Sequence, residues 1–328
     1  MFFGIAFTSL FIILIYFVMT DNKNKYSIIT YFTGFSLSLD NVFLSMYIYR
    51  ESGDFMKYKI VSDSSSNLTQ LKDIDFSIVP LHVTINNQTY AIDQNTNMDI
   101  LYDYIHNESF SFNTTTNDWL NAFGDADIIF GVTFTSHLSN SFECARAAKQ
   151  IYEKQHPNKK VFIIDSLSTG PQVQLLISKL NTLIKLGKSY QEIRNTIMDY
   201  KEKTRLLFFS NNLDHLGNNG RINLAIAKKA TSLGYKILGK ANFEGSLVST
   251  HMCLGHKNTF KKLIKEIQAT GYKGGNLIIS HTHNESTVNK LCAFLKETFG
   301  NIQIEVVNNT ALCSCYIKNG GIFIGYEI

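Results

Sequence analysis

Ile128-Ile-Phe-Gly-Val-Thr-Phe134, running straight into Thr135-Ser-His-Leu-Ser-Asn-Ser141 and on toward Gln155, decides the fold class. The first run is short, apolar and rich in β-branched and aromatic residues, as a buried strand should be. The second is a hydroxyl-rich loop, and a candidate helix over Ser139–Gln155 follows it. A strand, a loop and a helix in that order belong to the βαβ pattern of a parallel sheet.

The alternation continues on both sides. Candidate strands are Tyr58–Ser62, Phe76–Val83, Ile128–Phe134, Val161–Asp165, Leu206–Ser210, Tyr235–Gly239, Leu247–Thr250, Asn276–Ser280, Gln303–Val307, Ala311–Ile317 and Ile322–Gly325. Further candidate helices are Met98–His106, Gln172–Leu186, Tyr190–Lys203, Asn223–Leu233, Asn258–Ala269 and Glu285–Phe299. Leu175, Leu176, Leu180, Leu183 and Ile184 recur at helical spacing on one face. Ser189 with Glu192 forms a capping-box pattern, and Gly187 closes the helix before it. The expectation is an α/β fold of two lobes. The first, residues 56–170, has a largely parallel sheet. The second, residues 171–328, has a mixed sheet, because its last strands follow one another without a helix between.

Residues 1–55 read differently. Phe2 to Met19 carries no charge, close to the about 20 apolar residues that a membrane helix needs. A second apolar run, Tyr26 to Tyr49, is broken by Gly34, Ser36, Ser38 and Asp40. An apolar leader of one or two membrane-type helices is expected. Neither a basic region before it nor a small-residue cleavage site after it marks a secretory signal. Were it an anchor, Arg50, Lys57 and Lys59 would keep the remainder on the cytoplasmic side of the membrane. Tyr31-Phe-Thr-Gly-Phe-Ser-Leu-Ser-Leu-Asp-Asn-Val-Phe43 resembles the early part of TerC-family membrane proteins. That resemblance implies either a membrane protein acting through Asp40 or a fragment of another protein joined near Met56.

The bulk composition excludes some classes. A net charge of +4, with 31 Lys and Arg scattered along the chain, gives no basic face for nucleic acid. Five cysteines, an odd and mostly widely spaced set, give no disulfide framework and fit a reducing, cytoplasmic compartment. Phosphate-loop, dinucleotide and nucleophile-elbow motifs are absent.

Hydroxyl-rich loops stand out instead: Asp63-Ser-Ser-Ser-Asn67, Asn113-Thr-Thr-Thr-Asn117 and Thr135 to Ser141. Such residues cap helices and make turns. They also hydrogen-bond carboxylates at the carboxyl ends of strands, where α/β sheets bind ligands. A fourth feature is Asn212-Leu-Asp-His-Leu-Gly-Asn-Asn-Gly-Arg-Ile222, whose Arg221 suits an anionic group or a partner protein.

Taken in order, these loops resemble the DegV family over roughly Lys57 to Thr298. The family pattern is an Asp-Ser loop (Asp63 to Leu68), a Val-Pro-Leu strand (Val79 to Leu81), a Thr loop (Thr114 to Asp118) and a Ser-Ser loop (Thr135 to Ser141). Asp165-Ser166 and a Leu-to-Gly-Arg-Ile segment (Leu213 to Ile222) complete it. The resemblance implies a protein that binds a long-chain fatty acid between two lobes without chemistry of its own and with no cofactor. It also implies presentation of that acid to a separate fatty acid kinase. It assigns Thr114 and Ser139 to the carboxylate, with Thr115, Ser136 and Asn140 nearby, His281 close to the head group and Arg221 to the kinase encounter. The sequence departs from the pattern at the Thr114 loop, which lacks Pro, at Asn140 and Asn219 in place of Gly, and at Tyr316 to Gly320.

A metal-binding protein is the alternative from another class. His251, Cys253 and His256, with His281 and His283, are zinc-compatible ligands, and His251 and Cys253 share a face if they lie on a strand.

Overall fold

The computed structural model describes residues 16–19, 27–30, 48–49, 55–85, 88–92, 111–210 and 223–328. In the leader, β1 (Tyr16–Met19) pairs antiparallel with β2 (Ser27–Thr30), and β3 (Ile48–Tyr49) with β4 (Phe55–Met56). This corrects the expectation of membrane-type helices at those positions. No helix among the described residues is long and apolar enough to cross a membrane. Tyr16, Phe17, Val18, Ile28 and Ile29 are strand formers, and an apolar run alone does not separate strand from helix. Asp40 lies outside the described residues.

The first lobe contains β5 (Tyr58–Asp63), β6 (Asp75–Val79), β7 (Leu81–Ile85), β8 (Gln88–Ile92), β9 (Ser111–Asn113), β10 (Ile128–Thr133) and β11 (Lys160–Asp165). Four of them form an all-parallel sheet in the order β11-β10-β5-β6. The other three form a small antiparallel sheet, β8-β7-β9. The predicted strand Phe76–Val83 is therefore two strands in two sheets. Pro80 has no N–H to give to a ladder, so pairing breaks there.

Strand alternation buries both faces of the parallel sheet. Val61, Ile129 and Val161 pack on Trp119, Phe123, Ala145 and Ala148, from helices Thr116–Phe123 and Ser141–Gln155. Ile60, Phe130, Val132 and Ile164 pack on Val173, Leu176 and Leu180, from helix Gly170–Lys185. That helix also touches the second lobe. A methyl group on Gly325 would come within 2.7 Å of the Pro171 backbone, and Ile278 joins the same apolar cluster.

The second lobe is a six-stranded sheet of β12 (Thr204–Ser210), β13 (Lys236–Ala241), β14 (Leu247–Cys253), β15 (Leu277–His281), β16 (Ile304–Asn308) and β17 (Ile322–Glu327). Its order is β14-β13-β12-β17-β15-β16, mixed as expected, with β15 and β16 its parallel pair. Helices His256–Ala269 and Glu285–Phe299 cover one face through Phe260, Leu263, Val288 and Leu291.

One predicted strand is a helix. Ala311–Ile317 forms a helix of about two turns, buried at every position. A short, mostly apolar run satisfies either structure, and burial on all sides removes the amphipathic signature of a helix. Cys313 and Cys315 are accordingly core thiols on a helix. Both are pushed up to about 12 by burial. All five cysteines are free.

Candidate functional site

The carboxyl ends of β5, β10 and β11 lie side by side, and Asp63 ties their loops together. Its Oδ2 accepts from the Phe134 N–H at 2.7 Å and the Ser141 hydroxyl at 2.6 Å. Its Oδ1 accepts from the N–H and hydroxyl of Ser65, at 3.1 and 2.5 Å. Burial pushes the Asp63 carboxyl up, against these four hydrogen bonds that favour its charged form. From β11, Asp165 accepts the Ser136 N–H at 3.2 Å and the Leu167 N–H at 3.1 Å. Sequence reasoning named Asp63 only as the first residue of a loop. An acid opening a run of serines at a strand end was the available signal.

The Thr114 loop joins from the small antiparallel sheet. The Thr114 N–H donates to Asn140 Oδ1 at 3.0 Å, and Asn140 Nδ2 returns a bond to the Thr114 carbonyl at 3.1 Å. Ser139 Oγ donates to the Phe112 carbonyl at 2.8 Å and accepts the Ser141 N–H at 3.2 Å. The structure thus brings Thr114, Thr115, Ser139 and Asn140 into one corner, with Ser136 on the same loop as Ser139. Thr114 is buried, Ser139 half-buried, and Thr115, Ser136 and Asn140 are exposed. Thr115 caps helix Thr116–Phe123 in a reciprocal box with Asp118, a pattern hidden in the sequence by the run of threonines.

Apolar side chains from both lobes meet beneath this corner. Leu81, Val83, Phe112, Phe134 and Leu138 from the first lobe form one cluster with Leu206, Phe208, Ile237, Tyr316 and Phe323 from the second. Tyr316 stands between the lobes, its ring centroid 5.3 Å from that of Phe112 and 5.4 Å from that of Phe134.

A second polar seam joins the lobes. Asn67 Nδ2 donates to Asn309 Oδ1 at 3.0 Å, and Asn67 Oδ1 accepts the Thr310 N–H and hydroxyl, both at 2.9 Å. Asn309 in turn donates its N–H to the His281 carbonyl at 2.8 Å. His281 is buried at the carboxyl end of β15, where its Nδ1 accepts the Asn284 N–H at 3.3 Å. Burial holds its pKa below the ordinary histidine value. His281 reaches the first lobe through this seam and makes no hydrogen bond to the Thr114 or Ser139 loops. Arg221 lies outside the described residues.

The residues of the metal alternative are not brought into one site. No group of three or more His, Cys, Asp or Glu among the described residues is arranged to hold an ion. His251 and Cys253 are on β14, and His281 is on β15 beyond β13, β12 and β17. That is four strand spacings, roughly 19 Å. Cys253 is buried, and His256 and His283 face solvent. His251 Nδ1 sits 3.0 Å from the Thr250 hydroxyl and 3.8 Å from Glu266.

Known proteins resemble the same span. The family described as "Uncharacterised protein, DegV family" matches residues 57–327. A DegV domain-containing protein from Streptococcus gordonii is 37% identical over 280 residues, 83% of this chain and 100% of that one. The solved structure of the Streptococcus pneumoniae Fatty Acid Kinase (Fak) B3 protein loaded with linoleic acid is 35% identical. It covers 83% of this chain and 100% of that one at a TM-score of 0.79. A DegV family protein from Eubacterium eligens loaded with heptadecanoic acid is 33% identical. It covers 82% and 99% of the two chains, also at 0.79. With a family match across most of its length and relatives this similar over their whole length, the chain belongs to the DegV family.

Proposed function

We propose that this chain binds one long-chain fatty acid, with the carboxylate in the Thr114–Ser139 corner and the tail along the apolar cluster between the lobes. The carrying observation is the likeness, at 35% identity and a TM-score of 0.79, to a protein whose structure holds linoleic acid. The site chemistry supports it. Neutral hydroxyls and backbone N–H groups can bond a carboxylate without a fixed cation beside it, and aromatic and aliphatic side chains receive the chain. The protein acts as a carrier, not a catalyst, and presents its acid to a separate fatty acid kinase, with Arg221 at the encounter. His281 stands behind the head group as part of the seam between lobes. The seam between the two lobes falls at residue 170, the start of the shared helix.

Mass spectrometry of lipid extracted from the purified chain tests this reading. About one acyl chain per molecule is expected, and protein that emerges folded and free of lipid would sink it. A finer test compares Thr114→Val and Ser166→Ala. Thr114→Val should weaken fatty-acid binding by about 1.5–3 kcal/mol, the usual worth of a bond to a charged group. Ser166→Ala should change it little, because the Ser166 hydroxyl serves its own loop, donating to Ser168 O at 3.0 Å.

A further inference from the structure

Asp118 brings a resident carboxylate into the corner proposed to receive one from the ligand. Its Oδ2 accepts the Thr114 hydroxyl at 3.3 Å, the Thr115 hydroxyl at 2.7 Å and the Thr115 N–H at 2.9 Å. The same oxygen lies 3.3 Å from His82 Nε2, on β7 of the neighbouring sheet. The pair is partly buried, with side chains 28% and 24% exposed for His82 and Asp118. Burial pushes the Asp118 carboxyl up, but the bonds from Thr115 and His82 outweigh it and hold the group below the usual carboxylate range. Asp118 is therefore ionised at neutral pH.

The two candidate hydroxyls differ in how firmly they are held. A hydroxyl has one proton to donate. That of Ser139 goes to the Phe112 carbonyl, while its oxygen accepts the Ser141 N–H, so turning it away breaks the loop's own bonds. That of Thr114 goes to Asp118, which keeps both Thr115 donors when Thr114 leaves. Thr114 is the donor that can change partner at low cost.

A ligand oxygen at ordinary hydrogen-bond distance from the Thr114 hydroxyl would lie within about 6 Å of Asp118 Oδ2. Two like charges at that range, partly shielded from water, repel appreciably. We propose that Asp118 is a positioning residue that sets head-group selectivity: it holds the Thr114 hydroxyl until a head group takes it over, and its charge penalises an ionised carboxylate relative to a neutral head group on the same chain. This rests on the reading of Thr114 as a head-group contact.

The test is calorimetric titration of the whole chain, stripped of bound lipid, with palmitic acid and with hexadecanol, for the wild type, Asp118→Asn and Asp118→Glu. Asn keeps a capping oxygen and removes the charge. It should tighten acid binding about ten-fold and leave the alcohol unchanged. Glu keeps the charge and should retain the wild-type ratio. Asp118→Ser, which also keeps a capping oxygen, serves if the Asn variant does not fold. An unchanged acid-to-alcohol ratio in the folded neutral variant overturns the proposal, and so does equal tightening of both ligands. In either case a wild type that still takes up the acid leaves the fatty-acid reading standing. A wild type that binds neither ligand overturns both.

Discussion

The two sheets hand their strand ends to different uses. In the first lobe β11, β10 and β5 are parallel neighbours, so their carboxyl ends share one edge and their loops bond one another directly. In the second lobe β14 and β15 also end on one edge, but β13, β12 and β17 stand between them. Hydroxyls far apart in sequence therefore converge in the first lobe, while His251, Cys253 and His281 do not in the second. A constellation is made by adjacency in the sheet, and closeness along the chain is a poor substitute for it.

The strongest way to break this contrast is Asp63→Ala. It strips the Phe134 N–H and the Ser141 hydroxyl, both deep in the first lobe, of their shared carboxyl acceptor. Stability in urea should fall by about 3–5 kcal/mol. A loss below about 1 kcal/mol would mean that the loops hold together without their shared carboxylate. Next comes Asn67→Ala, which cuts the seam to Thr310 and Asn309. A loss of about 1–3 kcal/mol is expected, because the Thr310 N–H and Asn309 Oδ1 lose a partly buried partner. Proteolysis should show the effect at both sides of the seam, and damage confined to one lobe would count against a shared seam.

The smallest effect is electrostatic and sharpens the contrast within the first lobe. Asp118 has a folded pKa below the 3.8 of an unperturbed carboxyl, so it adds stability above that value and loses it as pH falls through the folded one. Asp63 has a raised folded pKa and works in the opposite sense, with stability lost as pH rises through the folded value. Urea unfolding of Asp118→Asn between about pH 5 and 3 should therefore show less acid destabilisation than the wild type. Identical acid profiles would deny Asp118 its share.

Much of the fold was legible because its signals are local. The periodic leucines of helix Gly170–Lys185, the Ser189–Glu192 box and the helix Glu285–Phe299 all carry their evidence within a few residues. The hydroxyl loops were legible as strand-end residues for the same reason. What was hidden depends on partners remote in sequence or on an environment that erases a pattern. Asn67 meets Thr310 across 243 positions. Asp118 matters because His82 arrives from another sheet. Ala311–Ile317 gave no period because every side of it is buried, and Pro80 split a run whose strand-forming character continues on both sides of it.

Helix Gly170–Lys185 has a mechanical consequence. It is buried along most of its length and belongs to both lobes at once: Val173, Leu176 and Leu180 are sealed against one sheet, and Pro171 lies against Gly325 of the other. Swinging the lobes apart would bare several of these side chains, at about 1.5–3 kcal/mol each. The molecule is thus keeled rather than hinged. Any guest seated between the lobes therefore leaves this helix in place unless it repays the burial lost on both of its sides.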